Sequence, residues 1–159
     1  MSGGRSILSL GGIAVSADGT IKRAGTSLPW LFALYAAATL LHFAHNAEYL
    51  AQYPNLPASW SRADVYAAWC CVMALGILGF GLYTVQHRKV GLMILGAYAT
   101  LGFAGLLHYT RAPMADHSGM MNVTIWCEAA AGTLLLANVV LLSRAASSLS
   151  PPNNGWRGP

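Results

Sequence analysis

Charge is scarce in this chain. Lys, Arg, Asp and Glu together make up 9% of its 159 residues, against roughly 25% in soluble globular domains. With 55% hydrophobic residues alongside, a water-soluble domain is excluded. Cysteine is scarce too: Cys70, Cys71 and Cys127 all fall within apolar stretches, with neither a CxxC pair nor a secreted disulfide framework. Adjacent cysteines rarely have the geometry to bridge each other, so all three are expected to be small buried hydrophobes. There is no HExxH, which leaves out the commonest zinc hydrolase helix, and no CxxCH, which leaves out covalently attached haem. The net charge of +4 comes from scattered basic residues flanking apolar runs, a pattern that sets membrane topology and gives no footprint for nucleic acid.

What remains is apolar sequence in four long runs. The expected fold is an all-α integral membrane protein: four transmembrane helices in an up-down-up-down bundle, with spans at about 28–49, 65–85, 90–109 and 122–142. Residues 1–27, with the turn signals Gly11-Gly12 and Asp18-Gly19, are read as a cytoplasmic extension that could carry a small hairpin. The transmembrane domain then covers 28–143. The Pro, Ser, Asn and Gly of 144–159 predict a disordered tail.

Several local signals support these bounds. Pro29 suits a helix start, and Trp30 suits a membrane interface. Between the first two spans, Pro54, Pro57 and Trp60 predict a stiff interfacial linker. Ser61 with Asp64 three residues on has the form of a capping box for the second helix. Glycines at 76, 79 and 81, and again at 91, 96, 102 and 105, thin the second and third spans for close packing.

Basic residues assign the sides. Arg5, Lys22, Arg23, Arg88, Lys89, Arg144 and Arg157 collect on one side, whereas only Arg62 and Arg111 fall on the other. Both termini are therefore expected in the cytoplasm, as for a bacterial inner-membrane protein. Sorted this way, His42, His45, Glu48, Asp64, His108, Asp116, His117 and Glu128 converge on the outer, periplasmic side. Only Asp18 and His87 fall on the other.

Depth and phase sharpen that set. At the α-helical rise, His42 lies about 21 Å along a span starting near Leu28, roughly 9 Å below the outer surface of a ~30 Å core. Glu128, about seven residues down the fourth span, falls roughly 10 Å below the same surface. The two should be level. At 100° per residue His42, His45, Asn46 and Tyr49 form one polar stripe, while Glu48 turns away.

Ionisable groups at membrane depth are costly, and a group of them is a functional-site hypothesis. Imidazoles with carboxylates from several helices suit a transition metal, so His42, His45, His108 and Glu128 are the expected ligands. Glu48, Asp116 and His117 stand in reserve or behind the ligands. The metal is undetermined among iron, zinc and manganese, with copper if Met114, Met120 and Met121 contribute. One alternative is an electron-transfer subunit with non-covalent haem held by His42 and His108. A second is a metal-free acid and base, Glu128 and His42, acting on a lipid-like substrate. A third is a structural subunit of a larger membrane complex. Lipid is the expected surrounding, and a homo-oligomer is compatible with the sequence.

Overall fold

The computed structural model describes residues 17–148, and every regular element there is a helix. Helix α1 runs Ala17–Glu48, α2 Arg62–Thr84, α3 Arg88–Thr100 and α4 Gly119–Ser148. A 3₁₀ segment, Leu101–Thr110, continues α3 without a break, and short 3₁₀ turns occupy Leu50–Gln52 and Met114–Asp116. Four stretches are long and apolar enough to cross a membrane: Lys22–Glu48, Arg62–Thr84, Arg88–Thr110 and Gly119–Ser147.

Side-chain contacts fix the packing. Early α1 meets late α4 where Asn138 Nδ2 donates to the Ala24 carbonyl at 3.1 Å, and late α1 meets early α4 where His42 meets Glu128. Phe32 stacks on Phe80 while Glu48 bonds Tyr66, so α1 and α2 are antiparallel. Gly76 faces Tyr98 and Gly79 faces Leu95, which sets α2 against α3 in the same sense. Late α4 returns along α3, with Val139 by Gly96 and Gly132 by Ala99. The result is a ring of four antiparallel neighbours, the up-down-up-down order expected of short connectors.

The interior is small and aromatic at its centre. Tyr35 and Tyr98 are fully buried and tilted against each other at 4.7 Å, with Leu28, Leu95 and Leu135 around them. Outside, the pattern is inverted relative to a water-soluble bundle. Trp30, Ile77, Leu78, Met93, Leu107 and Leu134 are all exposed, so the outer faces are as apolar as the core. Cys70, Cys71 and Cys127 lie on that outer surface as free thiols, not in the core where the sequence placed them.

Helix bounds differ from the sequence expectation at the first span. α1 begins at Ala17, so Asp18-Gly19 and residues 20–27 are helical and Pro29 lies inside the helix. A proline there removes one backbone hydrogen bond and crowds the preceding turn. Polar groups gather at that point: Ser27 Oγ and Asn138 Nδ2 both donate to the Ala24 carbonyl, and Thr26 Oγ1 donates to that of Lys22. Of the 1–27 extension that could carry a hairpin, residues 17–27 are helical, while residues 1–16 and the tail beyond 148 lie outside the described residues.

The other joints match their sequence signals closely. Ser61 and Asp64 form the reciprocal capping box, extending α2 back to Arg62. The turn into α3 passes through Gln86 at φ 74°. Residues 144–148, assigned by sequence to the tail, continue α4.

The largest departure is in the third span. Ten residues, Leu101–Thr110, wind as a 3₁₀ helix, well beyond the three or four usual for that form. With three residues per turn, side chains at i and i+3 eclipse. Gly102, Gly105, His108 and Arg111 therefore stack in one row, which an α-helix would have splayed around its surface.

Candidate functional site around the His42 and Glu128 pair

At the end of the bundle where α1 finishes and α4 begins, two ionisable groups are buried together. His42 and Glu128 are each 2% exposed. His42 Nδ1 and Glu128 Oε2 form a direct hydrogen-bonded pair. Neither would sit in an apolar interior alone, because an isolated buried charge or dipole is strongly disfavoured. Gly105 makes the pairing possible. A Cβ at that position would fall 2.5 Å from His42 Cε1 and 3.2 Å from Glu128 Oε2, so any side chain would push the two apart.

His42 is only half satisfied. Its Nε2 is buried and has no hydrogen-bond partner. The His108 ring, one 3₁₀ turn beyond Gly105, lies 5.7 Å from the His42 ring. The His117 ring lies 6.2 Å from that of His108. His117 is 5% exposed, and its Nδ1–H donates to the Pro113 carbonyl at 3.0 Å. Because a carbonyl only accepts, that contact leaves Nε2 as a lone pair in the neutral ring. That Nε2 is also buried and unpartnered. Asn122 fixes the loop that carries His117, donating from Nδ2 to the carbonyls of Met114 and His117 and accepting at Oδ1 from Tyr109.

The other expected ligands fare differently. His45 turns away: its Nδ1 hydrogen-bonds the Tyr53 hydroxyl at 2.8 Å, and its ring lies over Tyr49 at 4.7 Å. Tyr53 is buried, which pushes its hydroxyl pKa upward and keeps the phenol protonated. The polar stripe drawn from α-helical phase is thus split, with His42 and Asn46 inward and His45 bound to the linker. Glu48 is exposed and pairs with Arg62 and Tyr66. Asp116 is exposed in the short 3₁₀ turn, while Met114 and Met120 face outward and Met121 is buried.

Asn46 was read only as part of the stripe, yet it reaches the site. Its Nδ2 lies 3.5 Å from His108 Nε2, and its Oδ1 is buried without a partner. Tyr53 also reaches it, with its ring 4.9 Å from that of His108. The signal that could have found these neighbours is the glycine, glycine, histidine, arginine spacing of three, legible only if the segment is taken as 3₁₀.

A cavity of about 270 Å³ opens beside the pair. His42, Asn46, Gly105, His108, Arg111 and Glu128 line one part, and apolar side chains from α1, the linker, α2 and the 3₁₀ segment line the rest. Among the described residues, no group of three or more His, Cys, Asp or Glu is already drawn together tightly enough to hold a metal ion. No protein-family model, curated protein or solved structure matches the chain.

Proposed function

We propose that the chain is an integral membrane protein whose helices cross the bilayer with both termini in the cytoplasm, and that its outer end binds a divalent transition metal through His42, His108 and His117. One observation carries the metal reading. Two buried imidazoles each have Nδ1 engaged, by Glu128 and by the Pro113 carbonyl, while each Nε2 is left without a partner and each ring lies near that of His108. Metal-binding histidines usually have this form, with a carboxylate or carbonyl behind the ring fixing its tautomer and raising its basicity. Buried polar atoms without partners are rare in proteins, and a missing ion is one of the standard reasons for them.

The ring spacings fit a modest closure. An imidazole nitrogen binds its metal at about 2.0–2.1 Å, which puts two rings on one ion roughly 5–6 Å apart, close to the 5.7 Å of His42 to His108 and the 6.2 Å of His108 to His117; closure on the ion has still to bring His42 and His117 together. Glu128 moves from ligand to the group that orients His42. His45 leaves the ligand set and His117 joins it. Imidazole donors suit zinc, iron or copper, and three of them leave a coordination position for water or a ligand from the cavity.

The haem alternative has less support, because the space beside the glycines is filled. Tyr98 fills it at Gly76, Ile94 and Leu95 at Gly79, Tyr35 at Gly102 and His42 at Gly105. The acid and base alternative keeps one specific support, the Glu128 carboxyl behind a ring whose other nitrogen is free, which is the arrangement of a general base.

The test is metal analysis of the full chain purified in detergent without chelator. About one metal per chain is expected in the wild type and in His45→Ala, with loss in His117→Ala. A metal content that His45→Ala abolishes and His117→Ala leaves unchanged would overturn this ligand set.

A further inference from the structure

We infer that the cavity beside His108 takes a single-chain amphiphile with a carboxylate head drawn from the bilayer, the head held by Arg111. This inference rests on the membrane reading above and not on the metal.

Among the described residues Arg111 is the only Lys or Arg side chain lining the cavity; it is exposed, and it is tied to the linker at its backbone and its guanidinium. It stacks one 3₁₀ turn beyond His108. Asn55 of the linker, a residue at φ 54°, donates from Nδ2 to the Arg111 carbonyl at 2.8 Å, and Arg111 Nη1 donates to the Asn55 carbonyl at 3.4 Å. No ion pair forms to Arg111 among the described residues. The carboxylate that lines the same cavity, Glu128, is already engaged by His42. A cation beside an apolar cavity favours an anionic head group, and guanidinium matches a carboxylate with two parallel hydrogen bonds.

The remaining walls select a chain. Phe43, Leu50, Leu56, Trp60, Val65 and Leu107 offer no polar side-chain group but the Trp60 N–H. Leu107 and Trp60 are 60% and 48% exposed, so the apolar wall continues onto the outer surface of the bundle. A cavity of about 270 Å³ is smaller than most sites for whole drug-sized ligands. It holds a head and the first part of a chain, with the rest lying along the apolar surface.

The experiment uses the full chain in nanodiscs of phosphatidylcholine, photolabelled with a long-chain fatty acid bearing a diazirine or with the corresponding fatty alcohol. The acid is expected to label the linker and the start of α2 about tenfold more efficiently than the alcohol, the scale of one charge-assisted pair. Arg111→Gln should bring the acid down to the level of the alcohol, and Ala68→Trp, which fills the cavity wall, should reduce both. Equal labelling by acid and alcohol in the wild type would overturn the inference. So would an acid preference surviving in Arg111→Gln, or stronger competition by phosphatidylglycerol than by unlabelled fatty acid. Metal content measured on the same samples separates the two proposals: Arg111→Gln should keep the metal of the wild type, and a metal-free wild type that still prefers the acid would leave this inference standing alone.

Discussion

The two halves of the bundle treat buried polar groups differently. In the half holding residues 24–28 and 135–142, Asn138 lies between α1 and α4 with its Nδ2 donating both to the Ala24 carbonyl and to Ser27 Oγ, its Oδ1 buried without a partner and apolar side chains around it. In the opposite half, His42 Nε2 and Asn46 Oδ1 are buried and unpartnered on residues that line one cavity, and His117 Nε2 and Trp69 Nε1 are buried and unpartnered as well. The first arrangement is what helix association in a bilayer calls for, an interhelical hydrogen bond worth about 1 kcal/mol. The second would lower stability if it served only to join helices, since each unmet buried group costs about 1–3 kcal/mol. At one end the bridging amide still joins two helices, whereas at the other the unpartnered ring nitrogens join none, which supports the proposed site there.

Substitutions can test that contrast, beginning with the largest expected effect. His42→Ala should reduce bound metal to background while leaving the helical circular dichroism spectrum intact. Retention of wild-type metal would remove the distinction between the two halves. Glu128→Gln keeps the shape but weakens the group behind His42, and metal affinity should fall about 10- to 100-fold, read by competition with a chromophoric chelator.

A matched pair of glycine substitutions separates packing from binding. Gly105→Ala places a Cβ against His42 and Gly76→Ala places one 2.7 Å from Tyr98 Cζ. Both should lower thermal stability in detergent, by about 1–3 kcal/mol for an overpacked contact. Only Gly105→Ala should also weaken metal binding. The smallest effect belongs to Asn138→Ala, which should cost about 1 kcal/mol of stability and leave metal content unchanged. A change in metal content there would show that the halves are coupled.

Much of the scaffold was legible from sequence. The four apolar runs, the Ser61 and Asp64 capping box and the convergence of histidines and acids on one end all follow from composition and spacing. The contact between His42 and Glu128 was anticipated from their depths, although the ruler used was wrong at its origin. α1 begins at Ala17, upstream of the proline taken as its start. The depth comparison survived because it depends on the end of the first span and the start of the fourth, where the short connectors hold both helices level.

The composition of the site was not legible in the same way. His45, His108 and His117 look alike as residues, and helical phase favoured His45. That assumption failed because Tyr53, from the linker, offers His45 a nearer partner at 2.8 Å. His117 could not be placed from sequence, since its burial depends on the Pro113 carbonyl and on Asn122 holding a loop of no regular period.

By itself the sequence determined that this protein is helical and apolar on every face, with its costly polar groups concentrated at one end. Hydrophobicity and 3.6-residue periodicity are local properties, carried by each segment on its own. Only the tertiary structure decided which imidazoles share a site. That depended on a third span tightening to three residues per turn, which aligns Gly102, Gly105, His108 and Arg111 in one row. It also depended on the bare face of Gly105, which lets His42 approach Glu128. The second is a contact between segments distant in the chain, which no spacing within one helix specifies, and the first is a winding that hydrophobic periodicity does not reveal.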